Sequence, residues 1–447
     1  MNTPRRLRRS RSALTVGTIA ALAAGLTAVP ASLSSAAGSQ PSPTDCYDTS
    51  LPTTVEESRL SVRTAPDQEP ASDQLLRAGG FDGLADDFDA RLCGVSTFAA
   101  AKRKAAAHGT RLWRTAVDRA QGRRADLGTI DAYDDRPLYW AHLRATHALR
   151  QWAPAGVELT ASERAGLVTA FVEAARGLTS TTFPRGDDVT RVLVSGFDPY
   201  TLETEPRRSN PSGVTALQLD GLRYETPDGV VAIETIVFPV TWSGFDAGIV
   251  EDAFGPHLRA GSPQRADLIT TISQGNSFNI EQWAGRWRGG SPDNNNEGEP
   301  EVIPENADWP MPQPPPEFIE TTLPHEAMTS AATGPFPVQL NPRICEWPPD
   351  ATPAARVCGD GPPTPGWRAY SGGGGNYLSN ESQYRSNRVR IGLGALDVPG
   401  GHLHTPPQTY AVDRTVLLDD AMRQRRHDIV DQAVALVRAA ARAVQAD

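Results

Sequence analysis

Within residues 46–180, apolar side chains return at three- and four-residue steps over 137–152 and 160–178, while 97–121 is rich in alanine and charge. Such spacing lays one apolar stripe along a helix, so this region is predicted to be largely helical. Thr160 followed by Ser162 and Glu163 supplies the residue types that start a helix. The period changes at Thr190. Short runs rich in β-branched residues at 191–195, 230–239 and 267–273, each closed by turn residues, read as strands. Helical stretches at 211–219 and 245–258 fall between them, and 415–444 reads as a long amphipathic C-terminal helix. Strands alternating with helices predict an α/β fold, a mostly parallel sheet flanked by helices, with any ligand site beyond the strand C-termini. Residues 286–318 and 334–375 are dense in proline, asparagine and glycine and read as long loops.

Ahead of these elements stand Arg5, Arg6, Arg8, Arg9 and Arg11, an apolar stretch from Ala13 to about Val29, and the small residues Ser35, Ala36 and Ala37. Positive, apolar and small segments in that order mark a secretory signal peptide over 1–37. A helical N-terminal domain over 38–187 and an α/β domain over 188–447 are expected to follow. Losing five arginines from a chain of net charge −10 leaves about −15, which argues against nucleic acid or an anionic membrane as partner. No later apolar run reaches the length of a bilayer span, and no cysteine follows the small residues to accept a lipid. Secretion is the expected destination. Lys102 and Lys104 are the only lysines among 43 basic residues, a bias expected of a GC-rich, actinobacterial genome.

Four cysteines, Cys46, Cys93, Cys345 and Cys358, in an exported chain favour disulfides. Three pairings are formally open. Proximity along the chain favours Cys46 with Cys93 and Cys345 with Cys358, the second stapling an insertion, and two bridges would leave no thiol to act as a nucleophile. None of the four has a metal-ligand spacing. His142 and His147, five residues apart, fall on different faces of a helix. His402 and His404 alternate on one strand without a third ligand, and Asp293 with the asparagines after it lacks the spacing of a calcium loop. No metal is expected. The Gly-x-Ser-x-Gly elbow, the phosphate-binding loop and the dinucleotide fingerprint are absent.

The α/β half carries an ordered set of short motifs. Gly196-Phe197-Asp198-Pro199-Tyr200 follows the first strand, Asn210-Pro211-Ser212 opens a helix, and Ser273-Gln274-Gly275 ends a strand. Then come Phe278-Asn279-Ile280-Glu281, Ser291-Pro292-Asp293-Asn294, a glycine-rich run into Tyr377-Leu378-Ser379-Asn380, and Gly400-Gly401-His402-Leu403-His404-Thr405-Pro406. Over roughly residues 190–447 the set resembles type I pyroglutamyl peptidases, the pyrrolidone-carboxylate peptidases. The resemblance implies a hydrolase that removes N-terminal pyroglutamate from blocked peptides and needs no cofactor. It also implies that Glu281 is the acidic member of a triad, that His404 is the base, and that Ser379 stands where the family carries its cysteine nucleophile. Phe197 and Tyr200 would enclose the lactam ring, with Gln274 and Asn210 nearby. The family's oxyanion arginine falls on Gly290, which makes Arg286 and Arg288 the candidates to replace it. A hydroxyl resists the oxidation that a thiolate meets outside the cell. Being far less acidic than a thiol, it also leaves an alternative: a catalytically silent relative that binds a peptide or protein.

Overall fold

Helix starts in the N-terminal half are written into side chains that accept the first free amides. Thr97 accepts from the Ala100 amide, and Thr160 forms a reciprocal capping box with Glu163. The computed structural model describes residues 46–446, so the expected signal peptide lies outside the described residues. Helices α1 (Ala71–Gly79), α2 (Asp82–Cys93), α3 (Phe98–Ala120), α4 (Arg136–Gln151) and α5 (Ala161–Ala175) build the N-terminal part. α3 and α5 meet at Gly109, where any Cβ would lie 2.6 Å from the Phe171 carbonyl oxygen. Disulfides join Cys46 to Cys93 and Cys345 to Cys358. Among the described residues no helix is long and apolar enough to cross a membrane.

The C-terminal part is built on a seven-stranded, mostly parallel sheet. Its strands are β1 (Val189–Phe197), β2 (Leu222–Thr226), β3 (Gly229–Phe238), β4 (Leu268–Gln274), β5 (Phe278–Glu281), β6 (Val338–Asn341) and β7 (Gly400–Thr405). The order across the sheet is β6-β5-β7-β4-β1-β3-β2, with β5/β7 and β2/β3 antiparallel and the other pairs parallel. On one face, Leu378 and Val389 of α7 (Leu378–Gly392) pack with Phe238, Phe245 and Phe254. On the other, Ile429, Ala433 and Leu436 of α8 (Asp420–Ala446) pack with Ile233, Leu268 and Leu403.

Three expectations need correction. The helix read over 245–258 is divided into Trp242–Asp246, Ile249–Phe254 and a 3₁₀ turn Gly255–His257, because Gly248 breaks it with φ 88°. The C-terminal helix begins at Asp420 rather than 415, since Asp419 Oδ1 accepts from the Met422 amide and caps the helix there. The two long loops contain strands. Val338–Asn341 supplies an edge of the main sheet, and Arg343–Trp347, Val357–Asp360 and Arg368–Ser371 form a separate antiparallel sheet holding the Cys345–Cys358 bridge.

Both parts belong to one compact unit. Helix α6 (Pro211–Leu219) is shared: Ala216 and Leu217 join the core of Trp113, Leu149 and Phe171, and Trp113 Nε1 donates to Asp220 at 3.1 Å. Asp135 accepts from Ser209 Oγ and the Asn210 amide, Glu56 from Asn294 Nδ2, and Arg176 pairs with Asp198. The N-terminal helices thus brace the loops that follow β1 and that carry Pro292-Asp293-Asn294.

Burying the carboxyls of two braces, and that of Glu234 on β3, has a cost. Burial pushes the carboxyls of Glu56 and Asp135 up to about 7 and that of Glu234 to about 8, each reinforced by a neighbouring carboxylate. A carboxyl that holds its proton more tightly when folded stabilises the protein below its unfolded pKa, near 4, and that contribution is lost as pH rises through the folded value. Buried His108 and His142 are held neutral and act in the opposite sense, but only below the usual histidine range. Stability should therefore fall from pH 6.5 to 8.5. Thermal melts should give a Tm a few degrees lower at pH 8.5, and Glu234→Gln should flatten that slope.

Candidate active site

β7 lies between β4 and β5, and its two registers bring the candidate residues together. In the parallel pairing His404 stands opposite Ser273, and in the antiparallel one His402 stands opposite Glu281. Alternate residues of a strand share a face, so both imidazoles project from the same side of the sheet. His404 Nδ1–H donates to Glu281 Oε1 at 2.6 Å, which leaves Nε2 as the free, accepting nitrogen. The other Glu281 oxygen accepts from Asn341 Nδ2 at 2.6 Å, and Gln383 Nε2 donates to the Glu281 carbonyl. Glu281 is fully buried at a strand end, where an unpaired carboxylate would be costly. Two glycines make room. A Cβ on Gly275 would lie 2.7 Å from His404 Cγ, and one on Gly373 would overlap Glu281 Oε2.

Ser379 is the second residue of α7, at the end where the first-turn amides have no intrahelical acceptor. Its Oγ lies 2.8 Å from Ser273 Oγ. Among the described residues it shares no hydrogen bond with His404. Ser273 Oγ is in turn 2.8 Å from Nε2 of His402, whose Nδ1 is 2.6 Å from Thr271 Oγ1. The His402 ring is fully buried and meets His404 edge to face at 4.8 Å; burial, and secondly the neighbouring His404, depress its pKa well below the usual range. Among the described residues no three His, Cys, Asp or Glu side chains converge as a metal site.

Beside Ser379 opens a small cavity of about 60 Å³ lined by Phe197, Tyr200, Asn210, Val240, Ser273, Gln274, Tyr377, Leu378 and Ser379. All four residues expected at a substrate pocket, Phe197, Tyr200, Gln274 and Asn210, line it. Gln274 Nε2 donates to Tyr200 Oη at 3.0 Å. The Asn210 side chain caps α6, accepting from Ser212 and donating to the Asp198 carbonyl.

The two arginines sit differently from expectation. Arg288 gives its guanidinium to Glu381, Asp246 and Glu301 and lies over the Trp242 ring, while Arg286 faces Glu305 and Glu317. Arg288 is committed to carboxylates, and its charge is balanced before any oxyanion forms. Asn341, Gly373, Ser273 and His402 also meet the candidate residues, although the sequence does not single them out. Ser273 and His402 lie inside the quoted motifs, but Asn341 and Gly373 fall in a stretch read as loop.

Residues 36–172 match the family described as PA0049 N-terminal domain, and residues 191–310 and 338–409 match the one described as PA0049, C-terminal domain. The Pseudomonas aeruginosa protein PA0049 is 33% identical over 437 residues, covering 76% of this chain and 77% of its own length. That relative is a pseudomonad protein, so the arginine bias does not by itself assign an actinobacterial source. Solved structures that resemble the chain include a mutant pyrrolidone carboxyl peptidase from Pyrococcus furiosus, at 17% identity and TM-score 0.37 over 57% of this chain and 100% of that one. Pyroglutamyl peptidase I from Bacillus amyloliquefaciens follows at 18% and 0.36, over 58% and 96%.

If Gly373 and Gly275 hold the histidine and carboxylate in contact, Gly373→Ala should push the Glu281 carboxylate away from His404. Denaturant melts should show a loss on the order of 2 kcal/mol, and the downfield proton resonance of the His404–Glu281 hydrogen bond should disappear. Gly359→Ala, whose Cβ meets nothing within 4 Å, should change neither.

Proposed function

This chain belongs to the PA0049 family, and from that premise we propose that its α/β part is an exported serine hydrolase that removes N-terminal pyroglutamate from peptides. The observation that carries the reading is the 2.6 Å bond between His404 and a fully buried Glu281, beside a small cavity that also exposes Ser379. Support for the substrate comes from the ordered motifs and from the lining: Phe197 and Tyr200 offer apolar ring faces, and Gln274 an amide to match a lactam. The two disulfides fit an oxidising destination.

In this mechanism Ser379 Oγ attacks the carbonyl carbon that follows the lactam while His404 Nε2 takes its proton. Glu281 keeps the proton of Nδ1 in place and stabilises the imidazolium that results. The proton then passes to the leaving amine, and water, activated by the same nitrogen, clears the acyl-enzyme. Because Arg288 is bound to carboxylates, the oxyanion role falls to the free amides at the start of α7, whose dipole favours negative charge there.

A second reading has its own observation: Ser379 rests on Ser273 rather than on His404. Under that reading the cleft binds blocked N-termini without cleaving them. A fluorogenic pyroglutamyl amide, offered to the mature protein, separates the two. The hydrolase should release fluorophore, and Ser379→Ala and Glu281→Gln should each lower kcat on the order of 10³-fold or more. Release unaffected by Ser379→Ala would end the serine mechanism, whereas saturable binding without release would establish the binding module.

A further inference from the structure

Three hydroxyls and one imidazole form an unbroken chain behind the nucleophile. Thr271 Oγ1 is 2.6 Å from His402 Nδ1, His402 Nε2 is 2.8 Å from Ser273 Oγ, and Ser273 Oγ is 2.8 Å from Ser379 Oγ. Protons can be arranged along it in two directions. If Ser379 donated toward His402, ionising the serine that way would leave an imidazolium in a fully buried position. Among the described residues no carboxylate bonds to His402, and burial already holds it neutral. The opposite direction satisfies every group. The Thr271 hydroxyl donates to Nδ1, Nε2–H donates to Ser273, and the Ser273 hydroxyl donates to Ser379 Oγ. The proton of Ser379 is then left for His404, whose Nε2 has no protein partner among the described residues.

We propose that Ser273, oriented by His402 and Thr271, is a catalytic hydrogen-bond donor that stabilises the negative charge forming on Ser379 Oγ as His404 removes its proton. This rests on the serine-hydrolase reading and adds to it the device by which a hydroxyl works at a site suited to a thiol. No proton moves along the chain. The Oγ lone pair forms the bond to the carbonyl carbon, the Oγ–H proton goes to His404, and Ser273 keeps its own. The donor matters for oxygen because an alkoxide is costly and accepts strongly. A thiolate forms readily and accepts weakly, so it gains little.

That asymmetry supplies the test. Ser273→Ala, Ser273→Thr and His402→Asn are each made in the natural chain and in a Ser379→Cys background. The chain has no free cysteine among its described residues, so the introduced thiol can be followed alone. Labelling of Ser379 by a fluorophosphonate, and of the introduced thiol by iodoacetamide, is timed by intact mass. Ser273→Ala and His402→Asn should slow serine labelling about tenfold or more and thiol labelling less than about twofold, with Ser273→Thr close to the parent in both. Equal slowing in the two backgrounds would mean a structural role and overturn the proposal, as would unchanged serine labelling. Should Ser273→Ala fail to fold, His402→Asn gives the same comparison. An unlabelled natural chain would instead defeat the hydrolase reading and take the donor chain with it.

Discussion

His404 faces Ser273 across one edge of β7 and His402 faces Glu281 across the other, and the cleft depends on that double register. A slip of one residue would turn both imidazoles to the opposite face, where α8 packs. Hydrophobic burial opposes the slip, since Leu403 between the two histidines is fully buried among Ile272, Ile280 and Ile429. The same pairing accommodates the buried Glu281 side chain. Its oxygens are taken by Asn341 and His404, so its desolvation is offset by two short hydrogen bonds.

The helix that carries Ser379 is fixed by a different interaction. Glu381, Arg385 and Arg388 of α7 are fully or almost fully buried; Glu381 pairs with Arg288, Arg385 with Glu251 and Asp246, and Arg388 with Glu251. A buried ionic network is weak evidence for stability, because apolar residues of the same volume often do as well. Its contribution here is geometric. Bidentate arginine–carboxylate contacts have directions, and they hold α7 against the helices Trp242–Asp246 and Ile249–Phe254 and against Arg288 so that residue 379 arrives beside Ser273. Arg288, one of the two arginines expected to stabilise an oxyanion, is part of this network, which is why it is not free for that task.

The N-terminal helices act on the cleft without entering it. Through Asp135, Glu56 and Arg176 they hold Asn210, Asn294 and Asp198, three residues in the loops around the pocket. Burial pushes the Glu56 and Asp135 carboxyls up to about 7, so loop geometry and stability are linked through the same carboxyls.

Much of this was legible along the chain. The 3.6-residue period of α4 and α5, the β-branched runs of β1, β3 and β4, the cysteine pairs and the ordered motifs each depend on neighbours close in sequence, or on residue types with one strong preference. Those features determined the fold class and gathered Glu281, His404, Phe197, Tyr200 and Gln274 as candidates. Two facts were beyond its reach. Asn341 and Gly373 lie in a proline- and glycine-rich stretch; Asn341 ends a strand that forms only against β5, far away in sequence, and the Gly373 amide is held by the equally distant Trp283 carbonyl, so no local period announces them. The partner of Ser379 was equally hidden, because a hydroxyl bonds to whichever group the packing of α7 brings within 3 Å. Sequence determined which chemical groups are present; the register of β7 and the seating of α7 decided which of them touch.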